Sequence, residues 1–229
     1  MNTLTVHKTL AAAAMACMMS LAFAADFSKF TSAELTSGLK TALSTGSTRA
    51  IASLGAEGGF LNNPEVKIGL PAPLEKRRGF LSMIGMGGPL DALEVSMNRA
   101  AEQAIPKAKT LIAQTIKNLT VQDAKSILSG GDTAVTEFFR GKTEAQLFDQ
   151  LRPLVAQEVG KLDLATRYNQ VASQAGQFGL VAEGDASIES HVTHEALDGL
   201  FTVIAKEERA IRADPVATGN RILKKLFAR

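Results

Sequence analysis

Apolar side chains recur at spacings of three and four along most of this chain, and the longest such stripe runs from Pro89 to Leu119. Leu90, Leu93, Met97, Ala100, Ala101, Ala104, Ala108, Leu111, Ile112 and Ile116 share one side of a helix, while Glu102, Gln103, Lys107, Lys109, Gln114 and Lys117 fall mostly between them. The stripe is alanine in the middle and larger at both ends, so a neighbouring helix can approach closely at its centre. Pro106 interrupts it and predicts a kink or a restart, because proline has no N–H for the carbonyl of Glu102. Thr120, with Asp123 at the third helical position, predicts a new helix after Leu119. Gly130 and Gly131 end that helix, and Asp132 is placed to cap the next, which carries Val135, Phe138 and Phe139.

The remaining segments follow the same logic. Phe30, Thr31, Glu34 and Leu35 make a full helix-start signature, for a helix reaching about Leu54 with Gly46 as a weak spot and Gly55 at its end. Leu74 to Met86 reads as one short basic helix, with Lys76, Arg77 and Arg78 at the end where cations oppose the helix dipole. A solvated charged face accounts for those cations; an anionic partner is the alternative. Thr143 and Gln146 predict another capping box and hence a fresh helix after Arg140, with a second kink at Pro153. Asp163 to Gln174 is a further helix, and 181–187 is a polar linker. Thr193 is expected to cap a helix carrying Leu197, Leu200, Phe201 and Ile204, and Asp214-Pro215 to open a last one over Val216 to Phe227.

Only one stretch resists a helical reading. Between Gly55 and Pro73, Gly58, Gly59, Asn62, Asn63, Pro64, Gly69, Pro71 and Pro73 forbid a long helix, and Val66, Ile68 and Leu70 alternate with Lys67 and Gly69. An extended segment or short β-hairpin near 65–70 is expected in a crossover between helices, with a lid as the other reading. The fold class is therefore all-α: an irregular, mostly antiparallel multi-helix domain over residues 25–229.

The first 24 residues stand outside that domain. His7 and Lys8 precede an uncharged apolar run from Leu10 to Leu21 and the small-x-small sequence Ala22-Phe23-Ala24, the form of a secretory leader cleaved between Ala24 and Ala25. Export to the periplasm is expected. Lipidation through Cys17 is disfavoured, because the position three before it is alanine where leucine is usual, and no later run is long and apolar enough to span a membrane. The leader holds one of the 25 cations and none of the 23 acids, which leaves the mature chain at +1. That balance argues against nucleic-acid binding. The only cysteine departs with the leader, so no disulfide is available to the mature chain.

Few residues suggest chemistry. His191, His194, Glu195 and Asp198 are the one cluster of metal-type residues, with His191, His194 and Asp198 as the candidate ligands, but H-x-x-H-E matches neither zinc-protease order and Thr193 is expected to interrupt the helix. A metal-dependent hydrolase built on them is the enzymatic alternative. No cofactor is indicated: there is no phosphate-loop spacing and no G-x-S-x-G. Glu207 and Glu208 are expected to face solvent, and Asp123 or Asp132 near Arg140 is the better acid pair. Asn98 and Arg99 beside the alanine stripe, Arg140, and Tyr168-Asn169-Gln170 are the candidates for a pocket or a polar network at helix crossings.

GFLNNPEVKIGLP (59–71), MNRAAEQAIPKAK (97–109), DAKSILSGGD (123–132), RYNQVASQAGQFGLV (167–181) and ALDGLFTVIAKEERAIRADP (196–215) together resemble a bacterial family catalogued as Domain of Unknown Function 4197. The resemblance implies an exported helical protein of Gram-negative bacteria and carries over no activity, ligand or catalytic residue. The expected function is non-enzymatic: binding of a protein partner of the envelope or of a small, mostly apolar ligand, in a cleft between the kinked alanine-lined helix and the Gly/Pro-rich loop. Peripheral membrane attachment by the last helix is the third reading, with Ile222, Leu223, Leu226 and Phe227 opposing Arg221, Lys224 and Lys225.

Overall fold

The computed structural model describes residues 27–122, 124–177 and 187–227. The leader with Cys17 and the Ala24–Ala25 junction, Asp123, and nearly all of the 181–187 linker lie outside the described residues. Every regular element among the described residues is helical. A 3₁₀ turn (Phe27–Lys29) leads into α1 (Ser32–Leu54). Two single-turn helices follow, α2 (Ala72–Glu75) and α3 (Arg78–Leu81). Next come α4 (Gly87–Ala104), α5 (Lys109–Asn118), α6 (Ala124–Leu128), α7 (Ala134–Lys161), α8 (Leu164–Gln177), α9 (Ile188–Ala213) and α10 (Arg221–Phe227).

Several starts and stops are the expected ones. Thr31 and Glu34 cap each other's backbone N–H groups at the head of α1. Pro106 sits in a 3₁₀ turn, Ile105–Ala108, that separates α4 from α5. Gly46 proves to be a packing position rather than a weak spot: it is buried, with Ile204 and Glu207 of α9 against it.

Other boundaries move, and in each case a tertiary contact overrides a local signal. Thr143 does not cap a helix. It is buried inside the unbroken α7, where its hydroxyl donates to the Phe139 carbonyl, and Pro153 is also carried within that helix. Thr193 likewise lies inside α9, donating to the Glu189 carbonyl, while Ser187 is the true N-cap. Leu74 to Met86 is not one helix but α2, α3 and a wide π-type turn over Ser82–Met86 with Gly85 at φ +89°. The last helix starts at Arg221 rather than Val216, because Gly219 takes φ +66° and Asn220 accepts hydrogen bonds from the N–H groups of Ile222 and Leu223.

The long helices pack as one body. Along α7 and α9 the partners run in opposite order: Thr136 with Glu208, Phe139 with Phe201, Arg140 with Asp198, and Phe148 with His194. The two helices are therefore antiparallel. Helix α9 lies against α1 as well, and α4 packs on α7, α8 and α9. Ala100, Ala101, Ala104 and Ala108 are buried in these crossings, so the alanine stripe lines core and not a cleft.

The Gly/Pro-rich segment is a packed crossover. Phe60, Val66, Ile68 and Leu70 are buried in the core. It closes over α9 at Gly199, where a β-carbon would stand 2.7 Å from the Phe60 ring. The extended stretch finds no strand among the described residues. Asn98 takes the place of one: Ile68 N–H donates to its Oδ1 at 2.9 Å, and its Nδ2 donates to the Ile68 carbonyl at 2.8 Å. One fully buried side chain thus serves both polar groups of an extended residue.

Candidate functional site

The residues singled out by sequence do not share one pocket. Asn98 belongs to the crossover anchor just described. Arg99 donates to Glu102 and Glu57, at 2.7 and 3.0 Å. Arg140 is bound by Glu144 and Asp198 and stacks on the Phe201 ring; Asp132 is not among these partners. Tyr168 packs half-buried against the core, and Asn169 and Gln170 are exposed on α8. The metal-type residues are on one continuous helix after all, yet each is turned to a different neighbour. His191 Nε2 lies 2.9 Å from the Gly69 carbonyl, His194 stacks on Phe148 at 4.2 Å, and Asp198 pairs with Arg140. No group of three metal-type side chains converges among the described residues.

Three buried carboxylates that the pattern does not mark hold the fold instead. Glu208 accepts from the N–H groups of Val135 and Thr136 and from the Thr136 hydroxyl, so an acid from α9, not Asp132, supplies the N-terminal cap of α7. Its burial corrects the expectation that it faces solvent. Glu102 accepts from Phe60 and Leu61 N–H, each at 3.1 Å. Glu158 is held by Lys107 and by Lys161, and the Lys107 hydrogen bond is the main cause of a carboxyl pKa below the ordinary value. A depression of about 590 Å³ opens beside Glu102 and Glu158, but Glu57, Arg99, Glu102, Lys107, Glu158 and Lys161 in its wall neutralise one another.

The groove with chemistry to spare lies elsewhere, between α5, α6 and the middle of α7. It measures about 740 Å³. Leu111, Leu119, Ile127 and Phe138 form its apolar part. Five carboxamides line it: Gln114 and Asn118 on α5, Gln122 before α6, and Gln146 and Gln150 on α7. All five are exposed, so each can exchange water for a ligand. Lys142 is the one charged residue among the described lining, which includes no carboxylate. A more open groove of about 820 Å³ runs along the other flank of α5, lined by Ser32, Thr36, Ser37, Thr41, Ser44 and Thr45 of α1 with Lys40 and Lys117. It too has no acid among the described residues.

The sequence held a signal for this surface. Gln114 and Asn118, and Gln146 and Gln150, are each four apart, which sets two amides on one face of a helix. Two such pairs become one groove only when α5 meets α7, a contact between residues some thirty positions apart.

The apolar face of the last helix is used within the protein. Leu223, Leu226 and Phe227 are buried, and Leu226 lies over Gly38 of α1. No helix among the described residues is long and apolar enough to cross a membrane. The family model described as "Protein of unknown function (DUF4197)" matches residues 29–228. No curated protein and no solved structure matches the chain.

Proposed function

We propose, from the premise that this chain belongs to the DUF4197 family, that it is a non-enzymatic binding protein of the bacterial envelope whose α5–α7 groove takes an uncharged glycan chain. The carrying observation is the pairing of five exposed carboxamides with an apolar floor that includes Phe138, with no acid among the described lining residues. A carboxamide donates and accepts at once, as the vicinal hydroxyls of a sugar require, and a half-buried ring offers a face for its C–H groups. The α5 and α7 walls are helical and satisfy their own backbone, so they present no strand edge for a peptide to extend. This reading replaces the small apolar ligand suggested by the sequence, since the alanine-lined surface expected to hold it is buried.

Calorimetric titration with an N-acetylglucosamine oligosaccharide tests the proposal. Binding by the unaltered protein is expected, with affinity at least tenfold weaker in the exposed double variant Gln146→Ala/Gln150→Ala and unchanged in His194→Ala. No binding, or equal binding by the double variant, overturns it. The envelope location rests on the leader sequence. Protein recovered from its own host should begin at Ala25; an N-terminus retaining Met1 contradicts export by cleavage.

A further inference from the structure

We propose that the groove between α1 and α5 is a binding site for a phosphorylated sugar. It lies where the first half of α1 meets the end of α5, measures about 820 Å³ and holds two cations, Lys40 and Lys117, with no acid among its described lining. The two helices run in opposite directions. Lys40 Nζ donates to the Lys117 carbonyl at 2.7 Å, while Gly55, after the far end of α1, lies against Pro106 ahead of α5. Lys109 stands two helical turns before Lys117 and shares its face of α5. Both are exposed, and neither side chain pairs with an acid among the described residues.

The charge pattern reaches beyond the groove. Residues 35–56, 103–122 and 215–227 contain no acid, in a chain that has 23. The fold lays these segments side by side, since α1 packs on both α5 and α10. A nearly neutral chain therefore carries a basic face. The nearest acid along α1, Glu34, is already held by Thr31 and Lys225. Lys117 and Lys40 also complement the C-terminal dipole of α5, but that accounts for two cations and not for the exclusion of acids from three segments. A concave surface of one sign concentrates anions.

The lining selects among anions. Ile116 is its one large apolar side chain and is buried, so nothing here enters a bilayer, and the described lining contains no aromatic ring on which a nucleic-acid base could stack. Ser32, Thr36, Ser37, Ser44 and Thr45 instead bring hydroxyls that make no side-chain hydrogen bond among the described residues. Serine and threonine on the outer face of a helix are poorer helix formers than alanine or glutamate, so α1 gains no helical stability from them. Hydroxyls donate and accept as a sugar's hydroxyls do, and ammonium groups match its phosphate ester. The volume is far more than a phosphate ion needs. This groove lies on the opposite flank of α5 from the carboxamides, and its ligand is independent of the glycan reading.

Calorimetric titration with glucose 6-phosphate, glucose and inorganic phosphate tests the assignment. Glucose 6-phosphate should bind the unaltered protein more tightly than either of the others, and added salt should weaken it. Lys109→Gln/Lys117→Gln, which removes charge without placing an acid at a helix C-terminus, should lower the affinity at least fivefold. Ser37→Ala/Ser44→Ala should lower it for glucose 6-phosphate and leave inorganic phosphate unaffected. All these side chains are exposed, so the circular dichroism melt should not fall. Absence of glucose 6-phosphate binding, equal affinity in the lysine variant, or inorganic phosphate binding as tightly as the sugar phosphate would overturn the proposal. So would loss of binding in Gln146→Ala/Gln150→Ala, which would move the ligand to the other groove.

Discussion

Replacing Glu208 by alanine removes the acceptor of three hydrogen bonds at the head of α7 and leaves the Arg212 guanidinium, 2.9 Å away, without its carboxylate. Truncating one partner of a buried ion pair typically costs about 3–5 kcal/mol, because the other charge and the orphaned donors stay buried. Urea unfolding of Glu208→Ala should show a loss in that range, with a smaller loss for Glu208→Gln, which keeps one acceptor. A change under about 1 kcal/mol would contradict the capping role. Asn98→Ala should also destabilise, by about 2 kcal/mol or more, since an N–H and a carbonyl of Ile68 lose their partner inside the core. Sequence pointed to Asn98 as a polar residue on an apolar stripe. It gave no hint of Glu102, Glu158 or Glu208, because an acid between apolar positions reads as the solvent face until its partner, 42, 51 or 73 residues away, is known.

At the scale of elements, α10 is fastened to the start of α1 by more than Leu226. Lys225 donates to Glu34 at 2.8 Å, and this hydrogen bond, with those from Thr31, lowers the Glu34 pKa from 4.5 to about 2. A carboxyl with a depressed pKa in the folded protein contributes stability above its unfolded pKa and loses it as pH falls through the folded value. The contribution is thus full above about pH 4.5 and disappears towards pH 2. Carboxyl-carbon NMR should place the Glu34 titration near that lower value and move it upward in Lys225→Ala; an unmoved titration would mean the pair does not form in solution. The head of α1 was legible because Thr31, Glu34 and the flanking apolar residues act within one turn. The boundaries inferred at Thr143 and Thr193 used equally local letters, but α7 and α9 pack on each other along their length, and helix continuity there outweighs a possible cap. Threonine inside a helix donates to the fourth carbonyl before it and leaves no trace in the pattern.

Across the whole molecule, the core takes most of what looked like a site: the alanine stripe, the crossover and the face of the last helix, while His191 and His194 stay at the surface, each turned to its own neighbour. What remains outside is a helix, α5, flanked by two grooves rich in amides and hydroxyls and free of carboxylates among the described residues. The all-α class was readable from periodicity alone; the groove was not, because it arises from the meeting of α5 with α7, and no local spacing reports that. The most direct test is an amide-resonance NMR titration of the full protein with an N-acetylglucosamine oligosaccharide. Shifts confined to α5, Gln122 and the stretch of α7 around Gln146 and Gln150 are the predicted result. Shifts centred on His191 and His194, or no shifts at any attainable oligosaccharide concentration, would contradict it.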